Sequence, residues 1–535
     1  MIRKNEGLQR TFIDTDYICD RLVPEADFYR KFREVVAPII KDEHFEDMYC
    51  PDNGRPAIPP SLLARAIILQ MHRNLSDREM EEACMYDIRI KHALGLEIDE
   101  RPFDHSSLND FRQRLLENGY EKVVFDKILS HLITEGLIDK NEMQRIDATH
   151  IIADIAVPTA IRLIRKTTFE VLKMLKQRRK DVWEKVAKEI DIRNYHRKSI
   201  NKEIPWKPEE RQHKNVLVKV VAEAQIVYGY SEKLRLGQGF THRLNMLKEV
   251  LNQNVQSGED GRVRLLQGKE RPKDAIVSPV DPDARFGAKS ATNRFVGYKA
   301  NITETCESRF ITNISATRGN TYDGDATISL ISEQKRNHDL NPTKLIGDGA
   351  YGSGLNRHLV ADYGVQLVAP VQERNHVQDI YPKRMFKFDE ARNVITCPMG
   401  AESFKTTYNQ KRCDTSYYFP RQVCEDCVNQ DRCTTSMLGQ RIITIGPWHK
   451  EVAEAEVYCK TRAYKKEIKM RCQIEATNSD MKNNLGMRRA RVRGLEKVNL
   501  QCIFTAVAVN VKRWISNILE KLKPKNASTL PAGCG

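Results

Sequence analysis

The sequence predicts an α/β fold with a mixed-sheet core, a helical N-terminal domain, a helical insertion and a Cys-rich insertion. Three observations predict this architecture. Capped helical segments fill residues 1–140, short segments rich in Ile and Val begin at residue 145, and five cysteines fall within residues 381–445. A chain of 535 residues, 40% of them hydrophobic, is long enough for several domains, each with its own core.

The charge of the chain favours a polyanionic partner. Lys and Arg number 87 against 72 Asp and Glu, a net charge of +15, so nucleic acid is the first candidate. No apolar segment follows the basic N-terminal residues, and the longest apolar run, residues 503–511, is far below the roughly 20 residues of a membrane span. We therefore expect a soluble, cytoplasmic protein whose 13 cysteines are free thiols except where they cluster.

The N-terminal 140 residues are predicted to be helical. The Pro pair at 59–60 opens an apolar helix, and residues 76–79 (SDRE) form a capping box for the next one. Residues 107–110 repeat the capping pattern, and Gly119 is a natural helix end. A helix-turn-helix that reads DNA and a structural or dimerising bundle are equally compatible with this pattern.

The pattern changes from helical to β at residue 145. The segment RIDATHIIADIA is short and rich in Ile, which favours a strand. Residues 161–269 are predicted as a basic helical insertion and loop. Their first forty residues carry 13 Lys and Arg against 5 Asp and Glu. Such a helix is either an ordinary solvated face or a surface that follows a phosphate backbone, and both interpretations stay open.

Further strands are predicted in FVGYKANITE, SRFITNISATRGN, PTKLIGDGAYGS and GVQLVAP, after a loop over residues 255–295. Beyond the Cys-rich insertion, residues 452–482 are predicted as one long helix and residues 495–519 as a last, apolar helix. The predicted core therefore comprises residues 141–160, 270–380 and 446–520, and residues 521–535 form a tail.

Three carboxylates stand out by their position. Asp147 lies in the first predicted strand, Asp348 just beyond the end of another, and Glu475 on the long helix. A carboxylate in or beside an apolar strand is costly to desolvate unless it is paired or bound to metal. Oxygen ligands suit Mg²⁺ or Mn²⁺, and two such ions can drive a phosphodiester displacement. A solvent-facing carboxylate at a strand end is the commoner alternative for any one of them.

A basic stripe accompanies Glu475. Arg471 precedes it by four residues and Lys482 follows it by seven, which puts all three on one helix face. This arrangement would let Arg471 and Lys482 hold DNA phosphates, while an ordinary ion pair is the structural alternative. The next segment, MRRARVRG, adds Arg488, Arg489, Arg491 and Arg493 as candidate DNA-binding residues.

These segments together resemble a known family over nearly the whole chain. The segments GRPAIPPSLLARAIILQ, IDATHI, RFVGYKANI, IGDGAYGS and RCQIEATNSDMKNNLGMRRARVRG are similar to parts of the DDE transposases of bacterial insertion sequences. The R-x₃-E-x₆-K pattern of Arg471, Glu475 and Lys482 resembles that family's Y-x₂-R-x₃-E-x₆-K signature. Where the signature has Tyr, this chain has Ile468, and Tyr464 lies one helical turn earlier.

The resemblance implies a ribonuclease H-like core with Asp147, Asp348 and Glu475 as a catalytic, Mg²⁺- or Mn²⁺-binding triad. It also implies a transposase that binds the terminal inverted repeats of its element, cleaves DNA and transfers strands to target DNA. The active complex would be a dimer or a higher assembly. Two alternatives stay open: a DNA-binding protein without catalysis, and a nuclease with the same core.

The Cys-rich insertion carries the spacing C-x₂₆-C-x₂-C-x₅-C through Cys397, Cys424, Cys427 and Cys433. A C-x₂-C pair with two further thiolates can bind one structural Zn²⁺, which leaves no open position for catalysis. Cys413 could replace one of the four, and free thiols are the alternative. The transposases that the chain resembles often carry a similar Cys-bearing insertion.

Overall fold

The computed structural model describes residues 14–50, 57–196, 211–257, 263–290, 292–371 and 380–522. Before the first strand the described chain is helical, as predicted. The helices are Thr15–Leu22 (α1), Phe28–Val36 (α2), Pro60–His72 (α3), Asp77–Tyr86 (α4), Ile88–Leu94 (α5), His105–Asn118 (α6) and Val123–Thr134 (α7). Within the part of the chain that the structure describes, none of the helices has the length and apolar character of a membrane span.

The predicted caps of this region are confirmed except at one helix. The Ser76 hydroxyl accepts from the Glu79 amide at 3.3 Å, the Glu79 carboxylate accepts from the Ser76 amide at 2.7 Å, and Gly119 ends α6 with φ of 72°. The predicted cap at residues 107–110 is wrong. Asp104 caps α6 instead, by accepting from the Ser106 amide at 2.8 Å, and the helix therefore begins three residues earlier.

Strand Gln144–Ile152 (β1) confirms the predicted change of pattern, and a helical segment follows it. Its elements are Ala160–Arg178 (α8), Lys180–Glu189 (α9), Arg211–Ser231 (α10), Gln238–Asn254 (α11), Val255–Ser257 (β2) and Val263–Leu265 (β3). They bury an apolar core of their own. The prediction of loop over residues 255–295 is wrong where β2, β3 and a later strand form, because such short strands depend on pairing with distant partners.

The main sheet is mixed and has six strands in the described chain. Besides β1 they are Arg285–Ala288 (β4), Arg294–Thr305 (β5), Ile311–Arg318 (β6), Lys344–Ile346 (β7) and Gln366–Val368 (β8). Strand β5 runs antiparallel to β1, β6 and β4, whereas β7 is parallel to both β1 and β8. Helix Thr327–His338 (α12) connects β6 to β7, and helix Gly354–Ala361 (α13) connects β7 to β8. These pairings confirm the α/β class.

The Cys-rich region folds around a small core of its own. Its elements are Lys387–Asp389 (β9), Val394–Thr396 (β10), Lys405–Asn409 (β11), Asp414–Tyr418 (β12), Arg421–Glu425 (α14) and Ile442–Ile445 (β13). Strands β11, β12 and β13 form an antiparallel sheet, and β9 pairs with β10.

The prediction of one long helix over residues 452–482 is wrong. The chain forms His449–Tyr458 (α15), Arg462–Glu467 (α16), a 3₁₀ turn over Ile468–Cys472 and Gln473–Asn483 (α17). Thr461 caps a new helix by accepting from the Tyr464 amide at 3.2 Å, and the Met470 carbonyl accepts from the guanidinium of Arg145 at 3.0 Å. These contacts end one helical segment and distort the next.

Helix Leu495–Leu522 (α18) confirms the last predicted helix and is buried on most sides. It packs between the N-terminal helices and the sheet, so one apolar core contains residues from all three. The Asn510 amide pairs with both the N–H and the carbonyl of Ile311 at 2.8 Å, and Asn499 accepts from the Ala316 amide at 2.8 Å. These contacts satisfy backbone groups of β6. Residues 523–535 of the predicted tail lie outside the described residues.

Candidate active site

Asp147 and Asp348 come together beside the central strand. Strand β7 pairs with β1 only at residues 144–145, and the segment Arg488–Ala490 joins the same strand again at Ile152. Asp147 lies between these two pairings, and Asp348 follows β7 by two residues. Sites at the carboxyl ends of parallel strands are a common place for ligands. The fold therefore places Asp147 and Asp348 near enough for their charges to interact.

Asp147 is half-buried and electrostatically perturbed. Burial raises the pKa of Asp147 to about 6, the charges of Asp348 and Asp323 add to this effect, and the Ala148 amide and Arg471 oppose it. The side-chain amide of Asn478, on α17, donates to Oδ2 of Asp147 at 2.7 Å. A carboxyl with a raised pKa beside a second carboxylate is typical of a functional site.

Asp348 opens the glycine-rich turn that the sequence predicts. Its Oδ1 accepts from the Ala350 amide at 2.8 Å. A Cβ at Gly352 would lie 2.5 Å from the Pro370 carbonyl, so the turn approaches that backbone more closely than another residue would allow. Tyr351, in the same turn, is fully buried, and its hydroxyl has no hydrogen-bond partner among the described residues.

Glu475 lies on the exposed side of α17. Its side chain is 64% exposed, and Oε1 lies 3.7 Å from the guanidinium of Arg471, which is the i,i+4 ion pair that the spacing allows. Ile468 and Tyr464 pack under β7 and β8 beside Tyr458. Their role in this structure is therefore packing.

A fully buried ion pair anchors this helix to the sheet. Arg145 on β1 donates to Oε1 of Glu304 on β5 at 2.6 and 3.1 Å, and both side chains are 0% exposed. Arg145 also donates to the side-chain oxygen of Gln473 at 2.7 Å. Thr477 and Arg513 both donate to Oε2 of Glu304. The beginning of α17 is thereby held against β1, two residues before Glu475.

Lys482 is half-buried in a basic surrounding. Burial, followed by the charges of Lys289 and Arg488, lowers the pKa of Lys482 to about 8, while the charge of Asp147 opposes this shift. Its Nζ lies 3.4 Å from Nδ1 of His150, and within the described chain no carboxylate forms an ion pair with it. A cationic side chain in this position is available to a phosphate.

The four arginines after α17 divide into two groups. All four side chains are exposed; Arg488 donates to the side chain of Asn483 at 2.6 Å, and Arg489 and Arg493 belong to the same group. The guanidinium of Arg491 donates instead to the Leu75 carbonyl at 2.6 Å and to the side chain of Asn74. Arg491 thus docks the α3–α4 turn onto the core.

The four cysteines of the predicted metal site surround one cavity of about 70 Å³. The Ala401 amide donates to the Cys397 sulfur at 3.3 Å, a contact that metal thiolates commonly receive. Burial raises the pKa of Cys433, and the other three thiols act in the same direction. The fifth candidate, Cys413, is exposed in the β11–β12 turn with φ of 52° and does not line the cavity.

A tighter cluster of possible metal-ligand atoms lies in the N-terminal helical region. Among the described residues, Glu81, Asp104 and His105 have ligand atoms within 4.8 Å of one another, whereas no three of the carboxylates around Asp147, nor of the four cysteines, approach so closely. His105 accounts for the contact, because its amide and Nδ1 lie 3.0 and 2.9 Å from Oε2 of Glu81 while Asp104 caps α6. The cluster is therefore explained by the hydrogen bonds at the beginning of helix α6.

Sequence reasoning missed two residues of this centre. The sequence could have indicated Asn478, because it lies three residues after Glu475 on a helix and therefore on the same helix face. Asp323, in the 3₁₀ turn Asp323–Ala326 after β6, carried none. Its approach to Asp147 depends on the pairing of distant strands.

Two ranges of the chain match models of known protein families. Residues 17–114 match the family model described as a transposase domain (DUF772), and residues 396–515 match the model described as a transposase DDE domain. No curated protein and no solved structure matches the chain. The first match covers helices of the N-terminal region, and the second covers the cysteines and the block that carries Arg471, Glu475 and Lys482.

The two matches define the class of the protein as a transposase with a DDE domain, a domain that indicates a DNA-cleaving enzyme. The two matched ranges support a DDE transposase of the insertion-sequence type. The resemblance that the sequence motifs predict is thereby confirmed.

Proposed function

We propose that the protein is a transposase that binds the terminal inverted repeats of an insertion sequence and catalyses metal-dependent DNA cleavage and strand transfer. The observation that carries the proposal is the approach of Asp147 and Asp348 beside β1, where Asn478 of the DDE-matched block contacts Asp147. This arrangement joins the two carboxylates that lie outside the family match to the helix that lies inside it.

The sheet supports a core of the ribonuclease H type. Its strands follow the order β6–β5–β1–β7–β8, in which three antiparallel strands precede two that run parallel to the central one. The helical segment between β1 and β4 and the Cys-rich region after β8 would then be insertions into that core. Each has its own apolar core, which supports this division.

The oxygen donors at the centre fit a hard divalent cation. Asp147, Asp348 and Glu475 would hold Mg²⁺ or Mn²⁺. When bound, such ions activate an attacking oxygen and stabilise the leaving oxygen of a phosphodiester. Asn478 orients the carboxylate of Asp147 by donating to it, and the buried Arg145–Glu304 pair fixes the helix that carries Glu475.

The reaction would proceed in two displacements. Water attacks the phosphodiester at each transposon end and frees a 3′-hydroxyl, and that hydroxyl then attacks a phosphodiester of the target DNA. Arg471 and Lys482 would hold the phosphates, while the exposed Arg488, Arg489 and Arg493 would extend the contact along the duplex. Since two ends must react together, the active complex would contain at least two copies of the chain.

The Cys-rich region would bind one structural Zn²⁺ through Cys397, Cys424, Cys427 and Cys433. Their common cavity and the amide contact to the Cys397 sulfur support this assignment. Four thiolates would brace the small apolar core of the region and leave no position for a substrate.

The test is a cleavage assay on DNA that contains the sequences flanking the open reading frame on both sides, where the transposon ends would lie. Wild type would be compared with Asp348→Ala and with the exposed control Asp362→Ala, in Mg²⁺, Mn²⁺ and EDTA. We expect metal-dependent 3′-hydroxyl ends that Asp348→Ala alone abolishes. Binding without cleavage in any metal would favour the DNA-binding alternative, and failure to transfer pre-cleaved ends would favour the nuclease.

A further inference from the structure

The turn that carries Asp323 is fastened to the turn that carries Asp348. The Tyr322 hydroxyl donates to the Ala350 carbonyl at 2.5 Å, and the Ala350 amide donates to the Asp348 carboxylate at 2.8 Å. On the other side of Asp323, a Cβ at Gly324 would lie 2.9 Å from the same Ala350 carbonyl. Both sequence neighbours of Asp323 therefore contact the residue that binds Asp348.

One amide links the two turns a second time. Nδ2 of Asn356 donates to the Gly324 carbonyl at 3.0 Å and to the Tyr351 carbonyl at 3.1 Å. Asn356 is itself buried at the start of α13. The spatial relation between Asp323 and the Asp348 turn is thus fixed by backbone and buried side-chain contacts, rather than by exposed side chains.

Tyr351 points to a ligand among these acids. Its side chain is 0% exposed, and in the described chain its hydroxyl finds no hydrogen-bond partner. Burial, followed by the charges of Asp147, Asp323 and Asp348, holds the pKa of Tyr351 well above its usual range. A buried hydroxyl without a partner is costly, and a cation accepts no hydrogen bond, so the acceptor would be a carboxylate oxygen of these acids once a bound cation draws them together.

The ion pair of Asp323 accounts for only part of this geometry. Nζ of Lys299, which is 15% exposed, lies 2.6 Å from Oδ1 of Asp323 and also donates to the Thr321 carbonyl at 2.8 Å. Within the described residues Oδ2 of Asp323 has no hydrogen-bond partner. The ion pair with Lys299 therefore leaves two groups without a hydrogen-bond partner among the described residues: the Tyr351 hydroxyl and Oδ2 of Asp323.

We infer that Asp323 is a further carboxylate of the centre built on Asp147 and Asp348, that it binds the same divalent cation, and that Tyr351 serves this centre as a hydrogen-bond donor. This inference rests on the proposed function and extends its metal site beyond the three carboxylates that the sequence motifs indicate. Glu475, by contrast, is largely exposed and paired with Arg471.

Direct Mn²⁺ binding tests the inference without DNA or catalysis. Electron paramagnetic resonance on the full chain would measure free Mn²⁺ during a titration of wild type, Asp323→Asn and Asp325→Asn. Asp325 is an exposed carboxylate two residues away and serves as the matched control. We expect Asp323→Asn to weaken Mn²⁺ affinity at least tenfold and Asp325→Asn to leave it within twofold of wild type.

Two further variants separate metal binding from folding. Lys299→Met breaks the same ion pair but keeps the Asp323 carboxylate, so we expect unchanged or tighter Mn²⁺ binding. Equal losses in Lys299→Met and Asp323→Asn would overturn the inference, because the ion pair alone would then matter. We expect Tyr351→Phe to weaken Mn²⁺ affinity about threefold without lowering the melting temperature of the metal-free protein, since it removes a buried hydroxyl that is unpaired in the described chain, and unchanged affinity would overturn the role of the hydroxyl.

The failure of the inference and that of the proposed function are distinguishable. Wild-type affinity in Asp323→Asn combined with weakened binding in Asp147→Asn would overturn the inference alone. Wild-type affinity in Asp147→Asn and Asp348→Asn would overturn the proposed metal centre and the inference with it.

Discussion

The side-chain amide of Asn478 donates to Oδ2 of Asp147 at 2.7 Å across 331 positions of the sequence. This hydrogen bond joins the helix of Glu475 directly to the central strand. Because Asn478 lies three residues after Glu475, the contact determines where that helix rests on β1 and which part of it approaches the carboxylates.

Replacement of Asn478 by Ala removes the donor that stabilises ionised Asp147. We expect DNA cleavage at pH 7 to fall about tenfold, the equivalent of roughly 1.4 kcal/mol, and the acid limb of the pH–rate profile to move to higher pH. Steady-state cleavage rates between pH 5 and pH 9 would measure both effects. The exposed neighbour Ser479, as Ser479→Ala, is the control, and an acid limb at its wild-type position would contradict the prediction.

The raised pKa of Asp147 predicts a cost in stability. A carboxyl whose pKa rises from 3.8 to about 6 on folding binds more protons when folded, so stability falls as pH rises through this interval. We expect Asp147→Asn to raise the free energy of unfolding of the metal-free protein by about 1–3 kcal/mol at pH 8 and by roughly half as much at pH 5. Urea unfolding with chelator measures this, and the exposed Asp154→Asn should change little. A loss of stability at pH 8 would refute the prediction.

Lys482 is expected to contact a phosphate. We expect Lys482→Gln to weaken DNA binding and to lower the slope of log Kd against log salt by about 1, the release of one counterion. Because the pKa of Lys482 is about 8, binding should also weaken between pH 7 and pH 9 in wild type but not in the variant. Fluorescence anisotropy at several salt concentrations measures both. The exposed Lys497→Gln is the control, and a salt slope equal to wild type would exclude the contact.

The buried pair under the site should be needed for stability. Glu304→Gln leaves the cations of Arg145 and Arg513 buried without a counter-charge, which typically costs about 3–5 kcal/mol. We expect a loss of that size in urea unfolding at pH 7. Glu402→Gln, which disrupts the exposed pair with Arg392, should cost less than about 1 kcal/mol. Equal losses in the two variants would show that burial of the pair is unimportant.

Local sequence pattern was enough to predict strands β1, β5, β6, β7 and β8 of the main sheet. Asp147 and Asp348 lie in or just after short apolar segments, and an alternation of Ile and Val needs no distant partner to be recognised. The capping box at Ser76 was equally local, since its two hydrogen bonds join residues three positions apart.

Features that depend on distant contacts were not predictable in this way. The 3₁₀ turn before α17 forms where the Met470 carbonyl meets Arg145, 325 positions away. Arg491 donates to Asn74, 417 positions away, a contact that its position in the basic segment does not indicate. Asp323 reaches the centre only because β6 pairs with β5 and β5 with β1. Periodicity carries no information about such pairs.

Metal content should distinguish the clustered cysteines from Cys413. Three or four thiolates around one cavity are needed to hold a zinc ion, so we expect about one Zn²⁺ per purified chain and its loss in Cys427→Ser. Cys413→Ser should retain the ion, because this cysteine is exposed in a turn away from the cavity. Inductively coupled plasma mass spectrometry of both variants measures the content directly. Equal zinc loss in the two variants would assign Cys413 to the site, and a zinc-free wild type would leave the cluster as free thiols.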